Sequence, residues 1–277
     1  VAGSAEGSFS SANNVDVTGD VAFTGAVTPN TLRFNTPASL SLDGQSMTVN
    51  AGGILITSAN GGANAIAGGT LTSGFDADLG GSKTSRDLMI HNWNAAQAFT
   101  VGATITNNGA DKVNLVVGGN GTTILTANNT YTGDTYLNGG VLEISSEGQL
   151  GQVNGSIAQF IRVNAGSNNG TTNGAFFIFG GGSGSGAVGN YTANSSNQVT
   201  LATVTNGGSG YTEGIYVNTK ADASGNAAIW TILDSGNLHF DGGTLRVTDD
   251  INLNGGRTLF LGANGGTLDV AAGKKLT

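Results

Sequence analysis

The chain has 277 residues, a formal net charge of −8 and no cysteine. Its 48 glycines, 2 prolines and 10% charged residues argue against long helices, which favour Ala, Leu, Glu, Lys and Arg. The ten basic residues are scattered, which excludes the clustered Lys and Arg of a nucleic-acid footprint, and no apolar run approaches the ~18–20 residues of a membrane-spanning helix. Disorder is excluded in turn, because 38% of the residues are hydrophobic and they recur at regular intervals.

From the N-terminus onward the recurring unit is a triplet: apolar, variable, apolar. It appears at Val15-Asp16-Val17, Leu32-Arg33-Phe34, Leu40-Ser41-Leu42 and Met47-Thr48-Val49. Later copies are Leu142-Glu143-Ile144, Ile161-Arg162-Val163, Leu245-Arg246-Val247, Ile251-Asn252-Leu253 and Leu268-Asp269-Val270. Alternation with period two predicts a strand with one buried face. Arg33, Arg162 and Arg246 occupy middle positions, where a charged side chain must meet solvent, so the flanking apolar pair is expected to point inward.

Gly-Gly pairs punctuate these triplets at Gly52-Gly53, Gly139-Gly140, Gly242-Gly243, Gly255-Gly256 and Gly265-Gly266. Glycine reaches positive φ without penalty, so each pair is expected at a sharp corner. The Gly242 and Gly265 pairs lie about 23 residues apart, the length expected for one coil of a stacked repeat. The fold class that follows is all-β, a single-stranded parallel β-helix of about 12 coils. Asparagine pairs at Asn13-Asn14, Asn107-Asn108, Asn128-Asn129 and Asn168-Asn169 fit corners too, where Asn tolerates left-handed backbone and stacks in ladders.

Two stretches break the pattern. Residues 75–99 are dense in functional side chains: Asp76, Asp78, Arg86, Asp87, His91 and Trp93. Residues 166–230 are a Gly/Ser-rich excursion with the apolar run Phe176-Phe177-Ile178-Phe179 and the phrase Gly207-Gly208-Ser209-Gly210-Tyr211-Thr212. The expected organisation is solenoid over 1–165, an inserted loop or hairpin module over 166–230, and solenoid again over 231–277.

Residues 122–151 read TTILTANNTYTGDTYLNGGVLEISSEGQLG. The stretch resembles the passenger-associated transport repeat of bacterial autotransporters. The resemblance is carried by Leu125, by the turn Asn129-Thr130-Tyr131-Thr132-Gly133, by Thr135 and Gly140, by Leu142 and Ile144 of the following strand, and by Gly148-Gln149-Leu150-Gly151. It implies a right-handed β-helix exported to the extracellular space or outer surface of a bacterium. The implied role is structural or adhesive, with self-association end to end or laterally, or a host or surface polysaccharide or protein as partner. Such proteins end in a membrane β-barrel. This sequence stops inside solenoid-like residues and opens at Val1 without a signal peptide, so a mature form, an excised segment or a subunit anchored another way is expected, with no direct membrane insertion by this segment.

Parallel β-helices also carry polysaccharide lyases and hydrolases, the alternative function. Asp249-Asp250 is the one adjacent acidic pair, and glycoside hydrolysis needs two carboxylates at a set separation. The Gly-His-Gly and Arg-x-Lys motifs of pectin hydrolases are absent, and so is the Gly-Gly-x-Gly-x-Asp calcium repeat. Asp76, Asp78 and Asp87 could supply oxygen ligands, but at no familiar loop spacing. No catalytic residue, metal site or cofactor is therefore expected. His91 and Trp93 form a candidate ligand patch, because aromatic rings stack on sugars. His239, between Leu238 and Phe240, is read as merely facing outward.

Overall fold

A computed structural model describes the chain except for residues 1, 4, 75–84, 165–172, 181, 213–214, 219–227 and 234–235. It is all-β, with short 3-10 turns at Glu6–Ser8 and Glu147–Leu150. The chain divides into two units: 1–152 with 238–253 and 259–277, and 153–237 with 254–258.

The first unit consists of long parallel sheets. One runs through Ala2–Gly3, Asn14–Val17, Thr31–Phe34, Gly53–Ile56, Ser85–Asn92, Lys112–Gly119, Thr135–Leu137, Leu238–Phe240 and Leu259–Leu261. The second runs through Val21–Ala22, Ala38–Ser41, Asn64–Ser73, Phe99–Ile105, Thr122–Leu125, Val141–Ile144, Thr244–Val247 and Thr267–Val270, with Ser46–Val49 paired beside Asn64–Ser73. The chain adds rungs to both sheets as it advances, which is solenoid-like topology. Thr135–Leu137 pairs with Leu238–Phe240, and Val141–Ile144 pairs with Thr244–Val247, so residues 153–237 are inserted between consecutive rungs of both sheets.

Alternation explains the core. Val15, Val17, Leu32, Phe34, Met47, Val49, Leu142, Ile144, Leu245 and Val247 are all buried in one continuous apolar cluster. Each inward side chain packs on those of the rungs above and below, so apolar area leaves water on both sides of every coil. Outward, the middle residues pair across rungs. Arg33 donates from Nε and Nη2 to the two carboxylate oxygens of Asp16, at 3.0 and 2.7 Å. Arg246 donates from Nε to Asp269 at 2.8 Å and lies 3.5 Å from Glu143 on its other side. Opposite charges at directly paired positions favour this register over a slip.

Buried asparagines stitch the corners. Asn94 donates from Nδ2 to the Asn60 carbonyl at 2.8 Å, and Asn60 donates to the Thr36 carbonyl at 3.1 Å. Asn92 donates to the Thr122 carbonyl at 2.7 Å and accepts from the Asn94 backbone N–H. Turn backbone that would otherwise be buried without partners is satisfied in this way. Asn168-Asn169 lies outside the described residues.

Several expectations are corrected. Ile251-Asn252-Leu253 is not a strand: Ile251 makes only an isolated parallel bridge to Leu276. Leu268 and Val270 are a strand in register with inward Leu245 and Val247, but the pair is not buried. They are 47% and 37% exposed, because their strand has a neighbour on one side only. Gly255-Gly256 belongs to the second unit, and neither glycine takes positive φ. The other four pairs each contain a positive-φ glycine. At Gly52 (φ 73°) there is no room either, since a Cβ would run into the Asp87 carbonyl. Ile161-Arg162-Val163 is a strand, but it pairs antiparallel with Ala228–Leu233 in the second unit.

That second unit is antiparallel throughout its described strands. One sheet joins Ile157–Asn164, Ala228–Leu233, Ile215–Asn218 and Phe177–Gly180; the other joins Asn173–Ala175, Ser185–Ala193 and Val199–Ser209. Its core gathers Val153, Ile157, Phe176, Tyr191, Val199, Tyr211 and Leu233. Tyr211 is buried and accepts from the Ala187 N–H through its hydroxyl at 3.1 Å.

Candidate functional site

The transport-repeat-like segment comes first, because the sequence singles it out most sharply. Asn129 is buried and bridges two coils: its Oδ1 accepts from Ile105 N–H at 2.7 Å and its Nδ2 donates to the Gln149 carbonyl at 2.5 Å. Thr130 and Tyr131 both donate from backbone N–H to the Ile105 carbonyl. The Tyr131 ring is fully buried, and its hydroxyl meets that of buried Thr135 at 2.7 Å. Thr132 exchanges hydrogen bonds with the Asn107 side chain. Gly133 must be glycine, because a Cβ would strike the Val113 carbonyl. Gly140 turns the chain with φ 63°, and Leu142 and Ile144 enter the core. Ser146 and Gln149 close a capping box on the turn Glu147–Leu150. The turn residues that carry the resemblance bond to the neighbouring coils, and its apolar residues Leu125, Leu142, Ile144 and Leu150 pack in the core.

Solvent-facing chemistry concentrates on the outward face of the first parallel sheet. In register, rung after rung, stand Asp16, Arg33, Leu55 and His91, with Gly118 opposite His91 on the next strand. A shallow groove of about 600 Å³ lies over this face, bounded among others by Asn14, Asp16, Arg33, Gly53, Leu55, Met89 and His91. The Arg33 guanidinium, hydrogen-bonded to Asp16, holds that carboxyl below the usual carboxylate range. Past His91 exposure alternates: His91 and Trp93 are exposed while Asn92 and Asn94 are buried, so both aromatic side chains share the outward face. Trp93 is 48% exposed.

Further along the same sheet three rings form a ladder. Tyr136 and His239 stack with centroids 4.4 Å apart and planes 15° from parallel; His239 and Phe260 stack at 4.6 Å and 11°. His239 Nε2 lies 2.8 Å from Asp134 Oδ2. Asp87 accepts from Asn114 Nδ2 at 2.8 Å, and Asn114 Oδ1 accepts from the Asp134 N–H. Burial, then the Asp134 and Asp87 carboxylates, push the Tyr136 hydroxyl above its ordinary pKa. A carboxylate that orients an imidazole is part of an acid–base arrangement. Here the neighbouring rings cover both faces of the imidazole, so the ladder works first as a cross-rung clasp. Sequence reading sees His239 only as outward-facing. The available signal is an aromatic ring in the middle of three successive rungs, Thr135-Tyr136-Leu137, Leu238-His239-Phe240 and Leu259-Phe260-Leu261.

The acidic candidates are dispersed. Asp249 pairs with Lys274 at 2.7 Å, which draws its carboxyl below the usual range, and it also accepts from the Asp250 N–H. Asp250 accepts from the Lys275 N–H at 2.9 Å. Both carboxylates thus tie two adjacent turns together. Arg86 pairs with Asp111 and donates to the Gly74 carbonyl, a contact within the scaffold. Asp76 and Asp78 lie outside the described residues. Among the described residues, no three His, Cys, Asp or Glu side chains are grouped to hold a metal ion, and no helix is long and apolar enough to cross a membrane.

Compared with protein families, curated proteins and solved structures, the chain matches none of them.

Proposed function

We propose that the chain is a non-enzymatic structural or adhesive β-solenoid of a bacterial outer surface, exported as an autotransporter-like passenger. In this reading the two parallel sheets belong to a right-handed single-stranded β-helix. Length alone suggests about 12 coils. With residues 153–237 in the antiparallel unit, the nine strands of the first sheet favour a number nearer nine. The observation that carries the reading is the segment 122–151, whose turn Asn129-Thr130-Tyr131-Thr132-Gly133 bonds to the neighbouring coils while Leu125, Leu142 and Ile144 enter the core. A passenger that folds coil on coil needs such a segment, whatever its other surfaces do. The partners are a second copy of the chain, stacked or side by side, or a surface polysaccharide or protein. Exposed Leu261, Leu268 and Val270 are apolar surface that a stacked coil would bury.

The test has three arms. The chain, placed between a signal peptide and a β-barrel translocator in a bacterial host, should reach the cell surface and be released by protease added outside. Purified protein should bind cells or polysaccharide, or form filaments in electron micrographs at rising concentration. A polysaccharide panel should yield no new reducing or unsaturated ends. Retention inside the cell overturns the export reading. Sugar release abolished by Asp249→Asn/Asp250→Asn overturns the non-enzymatic one.

A further inference from the structure

The groove over the strands Asn14–Val17, Thr31–Phe34, Gly53–Ile56 and Ser85–Asn92 has no part in the coil-to-coil bonding of the transport-repeat-like segment. Its chemistry is specific. Arg33 and Asp16 satisfy each other through two hydrogen bonds, so the pair brings no net charge, while among the described residues Arg33 Nη1 has no partner and can donate to another. Among the described residues, neither imidazole nitrogen of His91 has a hydrogen-bond partner, and neither has the Trp93 indole N–H. Beside these polar groups the groove is bounded by the apolar side chains of Leu55 and Met89, and Trp93, two residues beyond His91, is exposed. Gly53 and Gly118 carry no side chains, which keeps the backbone accessible beside Met89 and lets the His91 ring lean over Gly118.

Uncharged, part apolar, with planar donors and acceptors set side by side: these are the complements of a sugar ring, which offers apolar C–H faces and pairs of hydroxyls that both donate and accept. An acidic polymer fits less well. The Asp16 carboxylate faces it, Arg33 is already neutralised, and the chain as a whole carries −8. The rungs also repeat every ~4.8 Å, close to the length of one pyranose unit, so successive rungs can present equivalent contacts to successive sugars.

We propose that this groove binds a neutral polysaccharide strand laid across the rungs, with Arg33, Asp16 and His91 bonding its hydroxyls and exposed Trp93, two residues beyond His91, stacking on a further ring. The inference rests on the adhesive reading above and names its ligand class.

The full chain would be titrated with soluble neutral glucan, mannan and galactan oligosaccharides and with polygalacturonate, by calorimetry and tryptophan fluorescence. Binding of at least one neutral oligosaccharide is expected, with a fluorescence change that disappears in Trp93→Ala. Trp93→Ala and Arg33→Ala should each weaken binding about tenfold. Glu143→Gln, on the outward face of the other parallel sheet, should leave it unchanged, and all three variants should remain folded at the temperature of the titration. Three results overturn the proposal: no neutral oligosaccharide bound, polygalacturonate bound in preference, or affinity within about twofold of the parent in both groove variants. If cells still adhere while the groove variants lose nothing, the adhesive reading stands and the groove is wrong. If adhesion and self-association both fail, the adhesive reading falls with it.

Discussion

The two units solve the burial problem by different means. In the parallel unit a coil is both the floor of one neighbour and the roof of the other, so triplets of modest hydrophobicity reach complete burial: Val17, Phe34, Leu40 and Leu142 are all at 0% exposure. In the antiparallel unit the long hairpin of Ser185–Ala193 and Val199–Ser209 gains its register locally, from the turn in which Asn194 Oδ1 accepts from the Ser196 and Gln198 N–H groups. Its strands are largely open to solvent, with Val188 and Leu201 more than half exposed. Parallel stacking makes every rung depend on distant residues and gives a continuous core in return. The hairpin depends on near neighbours and buries little.

That contrast can be broken by truncating one leucine in each unit. Leu142→Ala should destabilise the parallel unit by about 2–5 kcal/mol, because it leaves a cavity among residues that cannot collapse. Leu201→Ala should stay within about 0.5 kcal/mol, as for ordinary surface positions. Denaturant melts with hydrogen-exchange readout separate the units, and the amides of Val141–Ile144 should outlast those of Val199–Ser209. Equal costs at the two positions would mean that the parallel core is no more tightly determined than the hairpin.

A second comparison concerns asparagines. Asn129 is buried and ties two coils; Asn194 organises an exposed turn. Asn129→Ala strands the Ile105 N–H and the Gln149 carbonyl in the interior and should cost about 2–3 kcal/mol. Asn194→Ala leaves groups that water can reach, so its cost should be smaller by about 1–2 kcal/mol. A thermal melt of the two variants decides this, and similar losses would place the role of Asn129 in its turn rather than in the bridge.

Much of the parallel unit is legible in the sequence because its rule is local. Val15, Val17, Met47 and Val49 alternate with polar neighbours, and period two alone puts them inside. The rule fails where burial depends on what lies above. Leu268-Asp269-Val270 has the same pattern, yet its apolar pair is exposed. It fails again at Ile161-Arg162-Val163, where alternation gives a strand but says nothing of parallel or antiparallel pairing. The site is less legible still. His91 and Trp93 stand out by residue type, but Asp16, Arg33 and Leu55 come into line with His91 only through inter-rung register, which no local window contains. The ladder of Tyr136, His239 and Phe260 is more remote, because the whole antiparallel unit intervenes between its first two rings.

One buried group in the parallel unit violates the economy of the rest. Thr123 is fully buried, and its hydroxyl has no hydrogen-bond partner among the described residues. Its strand neighbours in register are Phe99 and Leu142, both apolar and both in the core. Thr123→Val keeps the shape and removes the unpaired hydroxyl, so it should stabilise the fold by about 1 kcal/mol. Thr135→Val is the control: Thr135 is equally buried, but its hydroxyl bonds to Tyr131, so the same change should destabilise. If both variants lose stability, a partner for Thr123 exists in solution.

The smallest expected effect lies on the solvent side of the same unit. Asp16 is drawn below the usual carboxylate range by Arg33, through hydrogen bonding first and charge second. A carboxyl held low in the folded chain contributes stability that is complete above its ordinary unfolded value and is lost as pH falls through the folded one. The pair is substantially exposed, with side chains at 53% and 30%, so screening limits the contribution to about 0.5 kcal/mol or less. Urea midpoints of the parent and of Asp16→Asn, at neutral pH and again near pH ~3, should therefore converge as the solution is acidified. Added salt at ~1 M should produce much of the same convergence at neutral pH, because the Debye length then falls to ~3 Å. A gap that ignores both pH and salt would mean that Asp16 contributes through the geometry of its hydrogen bonds and not its charge. Since an amide can still accept one of the two Arg33 donors, the size of the residual gap measures how far rung register depends on ion pairing and how far on the bidentate fit.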